Sequence, residues 1–138
     1  RGDEPSFVEF VPLDELLARS DIVSLHCPLN DESRGMINGE TIAKMKEGAL
    51  LINAARGPVV DSRALADALN SGRLGGAGID VFEMEPPVPR DHPLLHARNT
   101  IVTPHVAFAT AESMEERCRI VFDNLKAWME GAPVNRVL

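Results

Sequence analysis

The alternation of short apolar runs with helical patterns constrains the fold of this chain more than any other feature. Four runs, at residues 21–27, 49–54, 77–82 and 100–103, combine aliphatic and β-branched residues over the length of a buried strand. The segments that separate the first three runs carry the apolar spacing of helices. Because parallel strands need such crossovers, the pattern predicts an open α/β fold, with a parallel sheet covered by helices on both faces.

Three short helices are predicted around these runs, over residues 11–21, 39–48 and 61–72. We expect the second to carry Lys44 and Lys46 in its last turn, where the helix dipole favours cations, and to stop at Gly48. The third is expected to begin at an N-cap formed by Asp61 and to end at Gly72.

A longer helix is predicted over about residues 111–130. Its apolar residues recur at the helical period: Met114, Cys118, Val121, Phe122, Leu125, Trp128 and Met129. This spacing indicates that Trp128 and the two methionines are core residues rather than part of a cofactor site.

Length, charge and composition exclude several classes of function. The 138 residues, of which 44% are apolar, suit one soluble domain or part of one. A net charge of −7 argues against a nucleic-acid partner, and no apolar run approaches a membrane span of about 18 residues. Two cysteines, Cys27 and Cys118, are too few for a disulfide framework and predict a reducing, cytoplasmic location.

Polar residues follow each predicted strand, at the edge where an open parallel sheet binds its ligand. They include His26, Cys27 and Pro28, then Asn53 to Gly57, then Asp80, Glu83 and Glu85, and finally Thr103 and His105. An arginine, carboxylates and a histidine facing one crevice could bind an anion, polarise a C–O group and move one proton. Polar groups at strand ends are common, however, so a purely structural role for these residues stays open.

Three segments arrive in the order typical of a known family. Residues 13–69, which include "LINAARGPVVD", and the later segments "GAGIDVFEMEP" and "TPHVAFAT" resemble the D-isomer-specific 2-hydroxyacid dehydrogenases. The resemblance implies the distal half of a Rossmann-type doubly wound parallel sheet that ends in a long C-terminal helix. Residues 1–138 would then be part of an NAD(P)-binding domain, with 110–138 returning toward a separate substrate domain.

The resemblance also implies an oxidoreductase that transfers a hydride between NAD(P) and C2 of a small D-2-hydroxy or 2-keto acid. Arg56 would grip the acid, His105 would be the acid/base, Glu85 would pair with His105, and Asp80 would hold the nicotinamide carboxamide. The residues that would line the cofactor are Cys27, Pro28, Asn30, Ala54, Ala55, Arg56, Asp80 and His105. Relatives are often homodimers.

Some assignments keep an alternative. Arg56 could be an ordinary surface residue, and Glu83 could take the place of Glu85, although the Glu-Pro match favours Glu85. His26 is expected to pack or hydrogen-bond locally. No metal site is expected: His92 and His96 have ligand-like spacing, but an intervening proline spoils the helix that such spacing requires. Asn30 and the "HVAFAT" segment depart from the pattern of many relatives, which leaves cofactor contacts and substrate preference open.

A dinucleotide fold carries a glycine-rich turn after its first strand and an acidic residue about 20 positions later. The resemblance places both upstream of this chain, so NAD and NADP are not distinguished, and the chain alone is expected to bind NAD weakly, to be inactive and to self-associate. A non-catalytic NAD(H)-sensing, corepressor-like module is the main alternative function. A hydrolase with Ser24 or Ser62 as nucleophile is a remote one, because no nucleophile-elbow pattern is present.

Overall fold

A computed structural model describes residues 7–84 and 86–136 of the chain. The chain divides into two compact units, Arg1–Pro104 and His105–Leu138. The first unit contains a four-stranded sheet in the order β1-β2-β3-β4, and every strand pair is parallel. The strands are β1 Ile22–Leu25, β2 Leu50–Asn53, β3 Gly76–Ile79 and β4 Thr100–Val102. The predicted parallel α/β sheet is therefore confirmed, and each strand overlaps the apolar run that predicted it.

Three helices belong to the same unit: α1 Leu13–Arg19, α2 Gly39–Lys44 and α3 Ser62–Asn70. The start of α3 is fixed as predicted, because Asp61 Oδ1 accepts hydrogen bonds from the backbone N–H groups of Arg63 and Ala64, both at 3.0 Å. Gly72, with a φ of +80°, follows the end of α3 in the left-handed conformation that glycine adopts without strain.

Helix α2 is shorter than predicted, so the expectation that Lys46 lies in its last turn is wrong. The helix ends at Lys44, and Met45 is already extended. The guanidinium of Arg73 donates Nη2 hydrogen bonds to the carbonyl oxygens of Ala43 and Met45. These bonds satisfy carbonyl groups at the end of the helix, and Lys46 instead pairs with Asp21 at 2.8 Å.

The sheet buries one face and exposes the other. The buried side chains alternate along the strands and pack under the helices: Val23, Leu25, Leu51, Asn53, Ala77 and Ile79. On the opposite face Ile22 is 57% exposed and Ile101 is 73% exposed. The expectation of a sheet covered on both faces is wrong for the described residues. Each new strand is added on the same side of the last, so right-handed crossovers place their helices on a single face.

The second unit contains helix α4, Ala111–Met129, which agrees with the predicted bounds. Thr110 caps it, since its hydroxyl oxygen accepts the backbone N–H of Ser113 at 3.2 Å. Helix α4 buries none of its residues among those described and Trp128 is 66% exposed, so the core role of its apolar residues stays a prediction. Helical periodicity identifies an apolar face but not the surface that covers it.

Among the described residues, no helix is long and apolar enough to cross a membrane.

Candidate functional site

The loop after β2 presents Arg56 on a backbone fixed by a buried amide. Asn53 is 1% exposed, its Nδ2 donates to the carbonyl oxygen of Arg56 at 3.1 Å, and its Oδ1 accepts the N–H of Ala55 at 3.1 Å. Arg56 itself is extended and exposed, and its Nη1 donates to the carbonyl oxygen of Ala55 at 2.6 Å. The arginine therefore projects from a turn whose shape is set from inside the fold.

Gly57 brings this loop directly against the chain that leaves β3. A Cβ atom at Gly57 would lie 2.0 Å from the carbonyl carbon of Phe82 and 2.1 Å from its oxygen. Both neighbours are backbone atoms, so no side-chain rotation can make room for a methyl group. The close approach fixes the distance between the Arg56 loop and the residues that follow Asp80.

Asp80 joins the ends of three strands. Asp80 is only 5% exposed, and its backbone N–H donates to the carbonyl oxygen of Asn53 at 3.0 Å. Its Oδ1 accepts the hydroxyl of Thr103 at 2.5 Å, while the Thr103 N–H donates to Ile79 at 2.9 Å. Arg56 and Asp80 therefore share the carboxyl edge of the sheet, as predicted.

The residues after β1 form a structured loop. Cys27 is half-buried, whereas Pro28 and Asn30 are exposed. The Oδ1 atom of Asn30 accepts the N–H of Ser33 at 2.8 Å, and the buried Ser33 hydroxyl donates to the carbonyl oxygen of Pro28 at 2.7 Å. Asn30 thus shapes its own turn, which is a physical reason for an amide at a position where the sequence departs from many relatives.

Three histidines in the first unit have local partners. His26 Nε2 lies 2.8 Å from the hydroxyl of Ser24, which confirms the expectation that His26 hydrogen-bonds locally. His96 Nε2 donates to the carbonyl oxygen of Arg90 at 2.7 Å, and His92 pairs with Glu83. In the part of the chain that the structure describes, no group of three or more histidine, cysteine or carboxylate side chains could hold a metal ion.

Within the long loop between β3 and β4, the side chains of Glu83 and His92 form a hydrogen-bonded pair. His92 Nε2 lies 3.0 Å from Glu83 Oε2, the His92 side chain is 9% exposed, and its ring meets the Phe82 ring edge-on at 5.1 Å. The Leu94 N–H donates to Nδ1 at 3.3 Å, so Nε2 carries the proton shared with Glu83.

Glu83 makes the folding stability depend on pH in the acidic range. Burial alone would raise its pKa, but hydrogen bonds from Ser62, from its own N–H and from His92 together hold the pKa of Glu83 below the usual 4.5. A lowered pKa in the folded state stabilises the protein above the unfolded pKa, and this contribution is lost as pH falls through the folded value.

We therefore expect Glu83→Gln in the full-length protein to lower the urea midpoint of unfolding at pH 7, by an amount that shrinks as the pH falls below 4.5. Glu47→Gln is a suitable control, because Glu47 is exposed in the turn before β2. The same midpoint difference at pH 7 and pH 3.5 would contradict the assignment of this acid dependence to Glu83.

His105 opens the second unit in a strained backbone conformation. Its φ is +57°, a region that residues other than glycine seldom occupy. Its ring lies 5.9 Å from the ring of Phe108 in a T-shaped arrangement. Glu85 lies outside the described residues, so its pairing with His105, and the single crevice predicted for all these groups, stay predictions.

The sequence places Gly57 and Thr103 at strand ends but does not predict the contacts by which they hold the site. Gly57 packs against Phe82, and Thr103 bonds to Asp80. Ser33, which bonds to Pro28, has no signal in the sequence and was missed. The Glu83–His92 pair was missed because nothing in the sequence indicates that two residues nine positions apart meet across an irregular loop.

The family described as "D-isomer specific 2-hydroxyacid dehydrogenase, NAD binding domain" matches residues 2–107. The chain belongs to this family. The match contains β1 to β4, the Arg56 loop, Asp80 and His105. The resemblance drawn from the sequence motifs is thereby confirmed.

Relatives of this dehydrogenase-family chain are longer than the chain itself. It is 48% identical over 128 residues to "Hydroxypyruvate reductase" of Blautia hydrogenotrophica. The aligned region covers 93% of this chain and 39% of the relative. It is also 48% identical over 124 residues to "Glyoxylate reductase" of Korarchaeum cryptofilum, covering 90% and 37%. The chain therefore spans less than half the length of these relatives.

Solved structures of similar proteins share the fold. An acyclic imino acid reductase (Bsp5) in complex with NADPH and D-Arg is 30% identical and superposes with a TM-score of 0.88, covering 99% of this chain and 43% of that one. D-Lactate dehydrogenase from Aquifex aeolicus, complexed with NAD and lactic acid, is 39% identical with a TM-score of 0.75, covering 88% and 41%. The distal half of a Rossmann-type sheet, followed by a long helix, is the architecture of the chain.

Proposed function

We propose that the full-length protein is an NAD(P)-dependent D-2-hydroxyacid dehydrogenase that interconverts a small 2-hydroxy acid and its 2-keto acid. The observation that carries the proposal is the exposed Arg56, which projects from a loop fixed by the buried Asn53 and by the close approach of Gly57 to Phe82. An arginine held in this way, at the ligand-binding edge of a parallel sheet, suits an anionic substrate.

The residues at this edge fit a nicotinamide cofactor. Asp80 is a buried carboxylate that accepts the hydroxyl of Thr103, and a carboxylate oxygen can accept a hydrogen bond from the amide N–H of a carboxamide. Ala54 is half-buried and small enough for a flat ring to approach the backbone. When bound, NAD supplies the acceptor or donor of the hydride at C2 of the acid. The residues that would hold it are those of the family pattern: Cys27, Pro28, Asn30, Ala54, Ala55, Arg56, Asp80 and His105.

The roles of the reacting side chains follow the family resemblance and the chemistry of each group. Arg56 would bind the carboxylate of the acid through its planar donors. His105 would take the proton from the C2 hydroxyl during oxidation and return it to the carbonyl oxygen during reduction. Glu85 would pair with His105 and orient its imidazole.

The test is oxidation of NADH and NADPH by the full-length protein with pyruvate, glyoxylate, hydroxypyruvate and 3-phosphohydroxypyruvate. We expect turnover with at least one acid, and we expect His105→Ala to lower kcat by about 10²–10⁴-fold while NADH still binds. His26→Ala is the matched control, since the side chain of His26 hydrogen-bonds to Ser24 in β1, two residues away. Intact NADH binding without turnover of any acid would contradict the proposal and favour a non-catalytic NAD(H)-sensing module.

The proposal extends to location, assembly and domain organisation. Both cysteines, Cys27 and Cys118, are unpaired thiols, which fits a reducing compartment such as the cytoplasm.

The family resemblance supports a homodimer. It also supports a domain organisation in which residues 110–138 lead toward a substrate domain. Light scattering of the full-length protein is expected to give twice the mass of one chain, and a monomer would contradict this part of the proposal.

A further inference from the structure

We infer that Phe108 positions the imidazole of His105, and that Arg117 holds Phe108 in place for that task. The inference rests on the proposed function, because it takes His105 as the acid/base. It adds two positioning residues to the reaction, neither of which has to touch the substrate.

The rings of His105 and Phe108 contact each other in a defined edge-to-face geometry. The ring centroids of His105 and Phe108 lie 5.9 Å apart, and the ring planes meet at 87°. This is the T-shaped arrangement in which the positive edge of one ring meets the negative face of the other. His105 is held at a φ of +57°, so its side chain leaves the backbone in a direction that the surrounding contacts must maintain.

The backbone around Phe108 is anchored on both sides. The Ala109 N–H donates to the carbonyl oxygen of Val106 at 2.9 Å, which closes a turn around Phe108. The hydroxyl of Ser113 donates to the carbonyl oxygen of Phe108 at 2.5 Å, and the same serine takes part in the capping box of α4 with Thr110. Phe108 is therefore tied to the start of a 19-residue helix rather than carried by a loose loop.

Arg117 supplies the second contact to the phenyl ring. Its guanidinium carbon lies 5.1 Å from the centre of the Phe108 ring, within the range of a cation–π interaction. Arg119 on the same helix behaves differently, because it pairs with Glu116 at 2.5 Å and with Asp123 at 3.7 Å. Two arginines on one exposed helix thus have different partners, and only the Arg117 contact leads to His105.

The kinetic test uses the full-length protein with the acid that it reduces best. Proton transfer depends on alignment, and a misplaced acid/base group costs up to about 100-fold. We expect Phe108→Ala to lower kcat by about 10–100-fold with the NADH dissociation constant unchanged, and Phe108→Tyr to restore most of the activity. Arg117→Met is expected to lower kcat by about threefold, whereas the matched Arg119→Met leaves it unchanged.

A spectroscopic readout separates positioning from general stability. Imidazole C–H signals of His105, identified by their absence in His105→Ala, are expected to carry the ring-current shift of Phe108 and to lose it in Phe108→Ala but not in Phe108→Tyr. Unchanged signals in Phe108→Ala, or equal kinetic losses in Arg117→Met and Arg119→Met, would overturn the inference. A wild-type protein that reduces no acid would instead overturn the proposed function, so the two failures are distinguishable.

Discussion

Replacing Gly57 by alanine is expected to destabilise the full-length protein by more than about 4 kcal/mol, or to prevent its folding. The new Cβ would lie 2.0 Å from the carbonyl carbon of Phe82, 2.1 Å from its oxygen and 2.5 Å from the backbone nitrogen of Glu83. Overpacking in a core usually costs about 1–3 kcal/mol because side chains can shift, but here only the backbone could move. Urea unfolding followed by circular dichroism measures the effect.

Gly78→Ala is the matched control for this substitution. Gly78 lies in β3 of the same unit, and a Cβ there would meet only Ile52 side-chain atoms at 3.9 Å, an ordinary contact. We expect its free energy of unfolding to stay within about 1 kcal/mol of the wild type. If Gly57→Ala proved as stable as Gly78→Ala, the close packing of the Arg56 loop against the chain that leaves β3 would be wrong.

Replacing Arg56 is expected to have the largest effect on substrate binding. Loss of one partner from a hydrogen-bonded charge pair costs about 2–5 kcal/mol, so Arg56→Ala is expected to lower kcat/KM for the best 2-keto acid by about 10³-fold. Arg56→Lys keeps the charge but not the planar pair of donors, and we expect it to recover only part of the loss. Steady-state kinetics with the full-length protein measures both.

Arg63→Ala provides the comparison for Arg56, because Arg63 is an exposed arginine in the first turn of α3, outside the proposed site. It is expected to leave kcat/KM unchanged. NADH binding is expected to survive in Arg56→Ala, since the substitution keeps the backbone of residues 54–56. A kcat/KM for Arg56→Ala equal to that of Arg63→Ala would return Arg56 to the role of an ordinary surface residue.

The strands and the starts of helices followed from the sequence because their causes are local. Apolar runs predicted all four strands, and Asp61 predicted the start of α3 through bonds to residues two and three positions away. The end of α2 could not be predicted in this way, because Arg73, about 30 residues later, bonds the carbonyl oxygens there. The uncovered face of the sheet depends on strand order, which periodicity does not report.

The candidate site divides in the same way. The residues that would face a ligand, Arg56, Asp80 and His105, were found from the family motifs and from their place after strands. The contacts that hold them were not predicted: the hydroxyl of Thr103 reaches Asp80 from 23 positions away, and the guanidinium of Arg117 lies over the ring of Phe108. Such contacts arise from tertiary packing and leave no periodic trace in the sequence.

The one-directional order of the strands bears on how the chain folds as it is synthesised. Ile22 pairs with Leu50, Leu50 with Gly76, and Gly78 with Ile101, so partners are only about 23–28 residues apart. Each strand emerging from the ribosome can therefore pair at once with the strand made just before it. Among the four described strands, each later strand pairs with the one made just before it, which shortens the time that its edge stays unpaired during translation.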